Sequence, residues 1–386
     1  MRDLRFSAAS RLAGFGTTIF TEMSALAERT GSINLGQGFP DEDGPSAVLE
    51  AAVQAIRDGH NQYAPLPGVP ALVDAIAEHQ RARYGLEHEA IQVTFGATEA
   101  ITAALLGLCE LGDEVVALDP FYDSYRAGAA MAGARLVGVP LTPPAWRFDA
   151  EQLAAAITPR TRVLLLNSPH NPTGRVLDRA ELEQIAAACV EHDLTAISDE
   201  VYEHLVFEGE HVPLATLPGM AERTLTVSSI GKTFSVTGWK TGWACGPAEL
   251  VAATRGAKQF MTFAGGTPFQ HAAATALASA EEHGARLAAE LKAKRDRICA
   301  GLERAGATVL RPAGTYFVNA DVRPLGYDDG VAFCRELPER AGVVAIPTSV
   351  FSADPERVRS LVRFAFCKRE QVIDEAATRL GRLRSG

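Results

Sequence analysis

The sequence has 386 residues, of which 47% are hydrophobic and 22% charged, and its formal net charge is −10 at pH 7. This length suggests two domains, or one large and one small, and is sufficient to bury a substantial core. The acidic balance argues against a nucleic-acid backbone as a partner, and no basic arm stands out.

Cysteine spacing and hydropathy indicate the cellular compartment in which the protein is expected. The six cysteines are scattered without a Cys-x-x-Cys pair, which indicates reduced thiols in place of a metal site or a disulfide framework. The first sixteen residues contain no apolar run of signal-peptide length. The most apolar segments, such as VLLLN at 163–167, are long enough for a strand but not for a membrane span. We therefore expect a cytoplasmic protein with no membrane partner.

Apolar strand-like runs alternate with alanine-rich helical runs through the first two thirds of the chain. In chain order, the predicted strands are 91–95, 114–119, 135–141, 162–167, 194–198 and 224–229, and the predicted helices among them include 97–110, 124–134 and 181–193. This alternation is typical of an α/β fold with a largely parallel, buried sheet.

The last third of the chain has a different pattern. One long helical pattern runs from Pro268 to about Ala305 and leads into a region of short strands and a final helix from about Glu370. The predicted strands of this region are 315–321, 343–347 and 361–366. We predict three parts, namely an N-terminal segment that packs with the small domain, a large ligand-binding domain and a small α+β domain. Their boundaries are 1–40, 41–285 and 286–386.

Polar or aromatic residues follow five of the predicted strands. In open α/β sheets, ligands bind beyond the carboxyl ends of the strands, so these segments are expected to converge on one site. The five segments are 96–98, 119–122, 167–172, 199–200 and 229–232.

Each segment also has an ordinary structural interpretation. Gly96 begins a helix whose free N–H groups can bind a phosphate with the Thr98 hydroxyl, or Thr98 simply caps the helix. Asp199 could cap a helix or pair with a cationic ring nitrogen, a contact worth about 4 kcal/mol at about 4 Å. The turn-rich sequence NSPHNPTGR at 167–175 is either a plain loop or presents Asn171 to a ligand oxygen.

The stretch SSIGKTFSVTGWKTGW at 228–243 contains Lys232 and Lys240 among small and hydroxyl-bearing residues. A lysine in an apolar pocket beside another cation has a lowered pKa and acts as a nucleophile. A nearby phosphate would explain both lysines, because one would form a Schiff base with an aldehyde and the other would pair with the phosphate. The aldehyde, the phosphate, the cationic ring nitrogen and a phenol-like oxygen all belong to pyridoxal phosphate (PLP).

Two other motifs compete for the same residues. Ser229-x-x-Lys232 and Lys-Thr-Gly at 240–242 imitate the serine hydrolases of the β-lactamase type. The imitation fails, because Ser198-Asp199 is followed by Glu200 and precedes the serine motif, and because the two lysines are too close in sequence. GQGFPD at 36–41 begins like a dinucleotide fingerprint but lacks its third glycine.

Taken together, these motifs resemble the class I aminotransferases of the fold-type I PLP enzymes. The similarity extends from INLGQGFPD at 33–41 to LVRFAFCK at 361–368, and includes NQYAP, GATEAI, PFYDSY, NSPHNPTG, DEVYEHL and GWACGPAEL. The most similar subgroup contains the kynurenine, glutamine and methionine aminotransferases and the actinobacterial N-succinyldiaminopimelate aminotransferases. The resemblance implies a large domain with a mostly parallel seven-stranded sheet between helices, and a small α+β domain.

The resemblance also implies roles for individual residues. Lys232 would bond to the cofactor and shuttle a proton, Asp199 would pair with the ring nitrogen, and Tyr202 would bond the ring oxygen. Arg363 would hold the substrate α-carboxylate through a bidentate pair. The other implied cofactor contacts are Gly96, Ala97, Thr98, Ser229 and Lys240 around the phosphate, Tyr122 on the ring face and Asn171 at the ring oxygen; Gly38 and Asn171 would also contact the substrate.

The resemblance further implies a homodimer that acts on amino acids and 2-oxo acids without a metal ion. Tyr63 would reach the phosphate of the neighbouring subunit, so each site would require both subunits.

Two features point to the substrate. The kynurenine and glutamine enzymes carry bulky or imidazole side chains where this chain has Ala264-Gly265-Gly266, and small residues there would admit a longer, acylated amino acid. The segments GGTPFQ, PFYDSYRAGAAMAGA and PLGYDDG resemble the N-succinyldiaminopimelate enzymes. We therefore expect transamination between N-succinyl-LL-diaminopimelate and 2-oxoglutarate, a step of lysine biosynthesis. Candidates for contacting the succinyl end are Arg126, Lys258 and Gln259, and candidates for lining the substrate pocket are Phe20 and Phe263.

Several alternatives stay open at this level. Within the family they are kynurenine, glutamine or methionine transamination and carbon–sulfur lyase side chemistry. From other classes they are a non-catalytic PLP-binding regulator and a serine hydrolase. The intact set of Lys232, Asp199 and Arg363, and the lack of a segment left over for DNA binding, argue against the regulator.

Overall fold

The computed structural model describes residues 9–16 and 19–383. The α-helices are α1 Ile19–Thr30, α2 Ser46–Arg57, α3 Pro70–Tyr84, α4 Gly96–Leu108, α5 Asp123–Met131, α6 Ala150–Ala156, α7 Arg179–Glu191, α8 Ile230–Thr233, α9 Ala248–Met261, α10 Thr267–Leu277, α11 Ala280–Ala305, α12 Gly330–Ala341 and α13 Glu370–Gly381. The strands are β1 Ile33–Asn34, β2 Ala90–Phe95, β3 Glu114–Asp119, β4 Arg135–Pro140, β5 Thr161–Asn167, β6 Thr195–Asp199, β7 Thr224–Ser229, β8 Thr241–Gly246, β9 Thr308–Leu310, β10 Phe317–Asp321, β11 Val343–Val344, β12 Ile346–Pro347 and β13 Leu361–Ala365.

A seven-stranded sheet forms the centre of the molecule, with the order β2-β8-β7-β6-β5-β3-β4. Strands β7, β6, β5, β3 and β4 pair in parallel, whereas β8 runs antiparallel to both β2 and β7. The predicted α/β class and the mostly parallel sheet are therefore confirmed. Strand β8 was not predicted, because TGWACG contains glycines that weaken a strand pattern.

The central strands are buried on both faces, as expected for a parallel sheet covered by helices. Successive residues of a strand point to opposite faces, and β3 and β5 follow this rule. Val116 and Leu164 pack in one apolar cluster with the inner face of α7, whereas Val115 and Val163 pack in another with α4 and α9. This double cover explains why the sequence of β5 is a continuous apolar run.

The C-terminal part has its own four-stranded antiparallel sheet, with the order β12-β13-β10-β9. Its core includes residues of α1, α11, α12 and α13, and β1 pairs in parallel with β11. Helix α11 runs without interruption across residue 285, where the sequence analysis divides the large and small domains. The exact domain boundaries stay a prediction.

The long helical pattern after Pro268 is two helices and not one. Helix α10 ends at Leu277 and α11 begins at Ala280. At the break, both the backbone N–H and the hydroxyl of Ser279 donate to the carbonyl of Ala276, each at 3.0 Å. A serine that bonds its local backbone in this way competes with continuation of the helix.

The structure also bears on membrane insertion and on the state of the cysteines. Within residues 9–16 and 19–383, no helix combines the length and the apolar character needed to cross a membrane. All six cysteines are free and buried, which confirms the expectation of unpaired thiols.

Candidate active site

A cavity of about 410 Å³ lies where the carboxyl ends of the large-sheet strands meet the C-terminal part of the chain. Strand ends place the polar residues here, because β5 ends at Asn167, β6 at Asp199 and β7 at Ser229. The structure brings together all of the residues predicted to contact the cofactor or the substrate α-carboxylate except Tyr63. Those that line the cavity are Gly38, Gly96, Ala97, Thr98, Tyr122, Asn171, Asp199, Tyr202, Ser229, Lys232, Lys240 and Arg363.

Asp199 is buried at the end of β6. Its carboxylate accepts a hydrogen bond from the Tyr125 hydroxyl at 2.5 Å and a longer one from the Val201 N–H at 3.4 Å. Burial raises the pKa of Asp199 to about 6, although the Tyr125 bond acts in the opposite direction. This buried carboxylate has two hydrogen-bond donors and no ion-pair partner in the described residues. A cationic ligand atom beside it would lower its pKa and favour the charged form.

Lys232 lies on the single-turn helix α8, directly after β7. Its Nζ is 5.8 Å from the ring centroid of Tyr202 and 5.9 Å from that of Tyr316. Burial lowers the pKa of Lys232, and the neighbouring cations Lys240 and Arg363 lower it further against the opposing effect of Asp199. This amine is therefore deprotonated more easily than a surface lysine, as a nucleophile or a base requires.

The start of α4 forms an anion-binding cradle. Gly96 has φ +73°, and a Cβ at this position would lie 3.5 Å from Lys240 Nζ. Gly242 of β8 packs so closely that its own Cβ would lie 2.7 Å from the Gly96 carbonyl carbon. The exposed N–H groups of the first helical turn, the Thr98 hydroxyl and the Lys240 ammonium therefore face the cavity together, which suits a phosphate.

Arg363 lies in the middle of β13 and is only 2% exposed. Its guanidinium carbon is 4.0 Å from the Phe317 ring centroid, and its terminal nitrogens donate to Asn171 Oδ1 at 2.9 Å and to the Gly36 carbonyl at 3.2 Å. Burial lowers its pKa to about 10. In the described part of the chain no carboxylate forms an ion pair with Arg363, and its Nε has no hydrogen-bond partner. A buried cation that lacks an anion is suited to bind a ligand carboxylate.

Tyr63 lies outside this cavity. Its residue surface is 79% exposed, and its ring contacts that of Phe263 edge-on at 5.7 Å between centroids. The prediction that it serves a neighbouring subunit is not tested by a single chain.

The comparisons with known proteins agree with this geometry. The family model described as aminotransferase class I and II matches residues 30–380. The chain belongs to this family. The confirmed family excludes the serine-hydrolase interpretation of Ser229 and Lys232.

Individual relatives of this aminotransferase are similar over nearly their whole length. The probable N-succinyldiaminopimelate aminotransferase DapC of Mycobacterium tuberculosis is 54% identical over 96% of this chain and 97% of its own. The methionine aminotransferase of Escherichia coli is 42% identical over 97% of this chain and 98% of its own. A solved structure of the M. tuberculosis N-succinyldiaminopimelate aminotransferase superimposes with a TM-score of 0.95, at 54% identity, and covers 98% of this chain and 100% of that chain. The resemblance inferred from the motifs is therefore confirmed.

The structure adds site residues that the sequence analysis of the aminotransferase missed. Tyr125 bonds Asp199, and Tyr316 donates to the Gly38 carbonyl at 2.7 Å. One signal for Tyr125 was present, because it lies in the first turn of the helix that follows the predicted strand end at 119–122. Tyr316 gave no local signal, since its role depends on contact between distant parts of the chain.

The candidates for the substrate side chain are placed differently from the cofactor residues. Phe20 lines the cavity, but Arg126, Lys258, Gln259 and Phe263 do not. Lys258 is buried, and its Nζ donates to the Phe263 carbonyl. This lysine is therefore already engaged in holding the segment after α9.

The small residues at 264–266 also have a packing role. None of them lines the cavity, and a Cβ at Gly265 would overlap the Phe95 ring at 2.2 Å. Within one chain, the glycine is required by the close approach of Phe95, and its effect on the substrate side of the cleft is not tested.

Proposed function

We propose that this aminotransferase binds PLP in the cavity and transfers an amino group between N-succinyl-LL-diaminopimelate and 2-oxoglutarate. The observation that carries the proposal is the convergence on one cavity of four features. They are a lysine with a lowered pKa, a buried carboxylate, an anion cradle and an arginine with no ion-pair partner among the described residues. Their donors and acceptors match the parts of PLP and of an α-amino acid, and the substrate is suggested by the relative that is 54% identical.

The residues present fit the cofactor at four places. The N–H groups at the start of α4, with Thr98, Ser229 and Lys240, would hold the phosphate. Asp199 would pair with the ring nitrogen, and its pKa of about 6 would fall on gaining a cationic partner. Tyr202 and Asn171 would contact the ring oxygen, and Tyr122 would lie on the ring face.

The chemistry divides between the cofactor and the chain. When bound, PLP supplies an aldehyde that accepts the amino group and a ring that withdraws electrons from the substrate Cα. Lys232 would hold the cofactor before substrate arrives, and its Nζ would then act as the base that moves the proton of the substrate Cα. Asp199 as a carboxylate would hold a positive charge on the ring nitrogen of the bound cofactor.

Arg363 positions the substrate. Its guanidinium fork would bind the α-carboxylate in a bidentate pair, and the Phe317 ring fixes the plane of the fork from one side. Because Arg363 and Lys232 line the same cavity, holding the carboxylate also holds Cα within reach of the lysine.

We further propose a cytoplasmic homodimer. Tyr63 is exposed and does not line the cavity of its own chain, so a partner subunit would bring it to a second phosphate site. The free, buried cysteines suit a reducing compartment.

A half-reaction assay tests the substrate assignment. Purified protein loaded with PLP is mixed with one amino compound at a time, without an acceptor, and the conversion of the aldehyde form of the cofactor to its amine form is followed by visible absorption. We expect N-succinyl-LL-diaminopimelate and glutamate to convert the cofactor with the highest second-order rate constants. Faster conversion by methionine, glutamine or kynurenine would keep the reaction type and overturn the substrate.

The methionine aminotransferase relative, at 42% identity, supports methionine transamination as the second candidate. The same half-reaction assay distinguishes methionine from N-succinyl-LL-diaminopimelate, because methionine lacks the carboxylate of the succinyl group.

A further inference from the structure

A second cavity has a volume of about 960 Å³, and its wall includes several histidines. His79, His204 and His211 contribute to its wall together with Tyr84 and Glu203, and none of the five lines the active-site cavity. The established reaction does not use these residues, so their burial requires a separate explanation.

Three of these side chains present ligand atoms to one point. His79 Nε2 is 3.2 Å from His204 Nε2 and 4.0 Å from Glu203 Oε2, and the three atoms all lie within 4.8 Å of one another. The side chains of His79 and Glu203 are only 7% and 3% exposed. Two imidazoles and a carboxylate are thus held together away from bulk water.

We propose that His79 Nε2, His204 Nε2 and Glu203 Oε2 form a binding site for a divalent cation of the zinc type. Zinc binds imidazole nitrogen and carboxylate oxygen at about 2.0–2.2 Å, which places tetrahedral ligand atoms about 3.2–3.6 Å apart. The two imidazole nitrogens already have this spacing at 3.2 Å, and Glu203 Oε2, at 4.0 Å from His79 Nε2, would have to move closer to complete the set. Magnesium and calcium prefer sites made entirely of oxygen ligands, so the two imidazoles favour zinc.

The surroundings orient the proposed ligands. The hydroxyls of Tyr84 and Ser228 donate to the two oxygens of Glu203, each at 2.7 Å, and leave further lone pairs free. His204 Nδ1 lies 3.3 Å from the Thr233 hydroxyl, which directs Nε2 of the same ring towards His79. Hydrogen bonds of this kind hold metal ligands in place in known zinc sites.

The two nitrogens of the His79 ring have different surroundings. Nδ1 is buried and has no hydrogen-bond partner in the described parts of the chain, whereas Nε2 faces His204 and Glu203. With the ring proton on Nδ1, the lone pair of Nε2 is available to a cation. The adjoining cavity leaves space for water in the fourth coordination position.

Two short segments connect the proposed metal ligands to residues of the active-site cavity. Asp199 and Tyr202 line the active-site cavity, while Glu203 and His204 of the same turn line the second cavity. Ser228 and Thr233, which bond the proposed ligands, flank the segment that carries Lys232. A cation at this site would therefore stabilise the positions of the residues that hold the cofactor.

Cobalt is the probe for the test, because it enters zinc sites and has visible absorption of its own. The PLP-loaded protein is freed of metal with a chelator and titrated with Co²⁺, and then Zn²⁺ is added. We expect one equivalent of Co²⁺ per chain, a visible band that Zn²⁺ abolishes, and a higher melting temperature with Zn²⁺.

Variants of His79 provide the decisive comparison. His79→Gln is expected to weaken zinc affinity at least about 100-fold and to abolish the shift in melting temperature. His79→Cys is expected to restore binding with a new thiolate-to-cobalt band, which a purely structural role of His79 would not produce. The control is His60→Gln, since His60 stacks on His271 at 4.0 Å between ring centroids and offers a competing pair of imidazoles.

Three outcomes would overturn the proposal. They are wild-type protein that binds no stoichiometric Co²⁺, a folded His79→Gln variant that binds Co²⁺ as tightly as the wild type, and loss of binding in His60→Gln. If His79→Gln does not fold, the absence of a thiolate band in His79→Cys decides against the site.

Discussion

At the scale of single residues, the proposed site contains buried charged groups whose partners would be the cofactor and the substrate. Arg363 and Asp199 are both buried, and neither has an ion-pair partner in the described residues. Such groups lower the stability of a protein without its ligands and are retained where they bind. Two substitutions measure this directly.

The first substitution is Arg363→Lys, which keeps the positive charge but removes the guanidinium fork. We expect kcat/KM for amino-acid substrates to fall about 30- to 150-fold, equivalent to about 2–3 kcal/mol, because the bidentate contact with the α-carboxylate is lost. Arg359→Lys is the matched control, since Arg359 is exposed and pairs only with surface carboxylates. Steady-state kinetics with unchanged KM and kcat in Arg363→Lys would contradict the assignment.

The second substitution is Asp199→Asn in protein freed of PLP. Burial raises the pKa of Asp199 in the folded state to about 6, above that of the unfolded chain. Below about pH 4 the side chain is therefore largely neutral in the folded protein and does not lower its stability. As the pH rises through 6 the side chain becomes charged in the folded protein, and the free energy of unfolding falls. The variant should therefore be more stable than the wild type at pH 8 by up to about 3 kcal/mol and equally stable near pH 4. Urea unfolding at both pH values measures the difference.

PLP should reverse this order, because a cationic ring nitrogen compensates the carboxylate but not the amide. A variant that is no more stable than the wild type at pH 8 without PLP would show that Asp199 is already compensated within the chain.

The sequence predicted these residues because each belongs to a motif at a strand end. Lys232 and Lys240 stood out since lysines rarely occur in such small, apolar surroundings. Tyr125 was missed, because its bond to Asp199 joins residues 74 positions apart and depends on how α5 packs against β6. Lys258 drew attention as a free cation, and only the structure shows that it bonds a nearby backbone carbonyl.

At the scale of elements, the strand-and-helix alternation predicted most of the large sheet. The strand predicted at 224–229 has the observed bounds of β7, since its flanks change sharply from apolar to polar. Strand β8 was missed, because its glycines serve close packing against α4 and not strand propensity. Local pattern therefore predicts the buried parallel strands better than the antiparallel strand that adjoins the anion cradle.

Gly242→Ala tests the contact between β8 and α4. Its Cβ would lie 2.7 Å from the Gly96 carbonyl carbon, so we expect a loss of about 1–3 kcal/mol in stability and a weaker affinity for PLP. Gly256→Ala is the control, because Gly256 on α9 has open space around its Cβ and should gain about 0.5–1 kcal/mol. Thermal unfolding and equilibrium titration with PLP report both effects, and unchanged PLP affinity in folded Gly242→Ala would contradict the cradle.

At the scale of the whole molecule, the distribution of exposed apolar surface is consistent with a dimer. Tyr63 and Phe260 are 79% and 87% exposed, and Phe263 beside Tyr63 is 44% exposed. Tyr63 and Phe263 are in edge-on contact, and exposed aromatic side chains are enriched at subunit interfaces. The sequence and the exposed rings together predict this assembly.

Mixing two inactive variants tests the shared site. Lys232→Ala lacks the lysine and Tyr63→Ala lacks the proposed contribution to the partner, so a mixed dimer would contain one site with both residues intact. We expect activity to return when the two are unfolded and refolded together, and sedimentation to give the mass of a dimer. Asp199→Asn replaces Tyr63→Ala in the control, since Asp199 and Lys232 line the same cavity of one chain and every site of that mixed dimer would lack one of them.

No regain of activity in mixtures with Tyr63→Ala would contradict the shared site, provided that each variant alone forms a dimer.

The central claim is that Lys232, and not Lys240, bonds the cofactor in this cavity. The direct measurement is borohydride reduction of the PLP-loaded protein, followed by digestion and mass spectrometry of the peptides. We expect a single modified peptide, with the pyridoxyl phosphate group on Lys232 and none on Lys240. Modification at Lys240 or at another lysine, or a protein that retains no PLP, would contradict it.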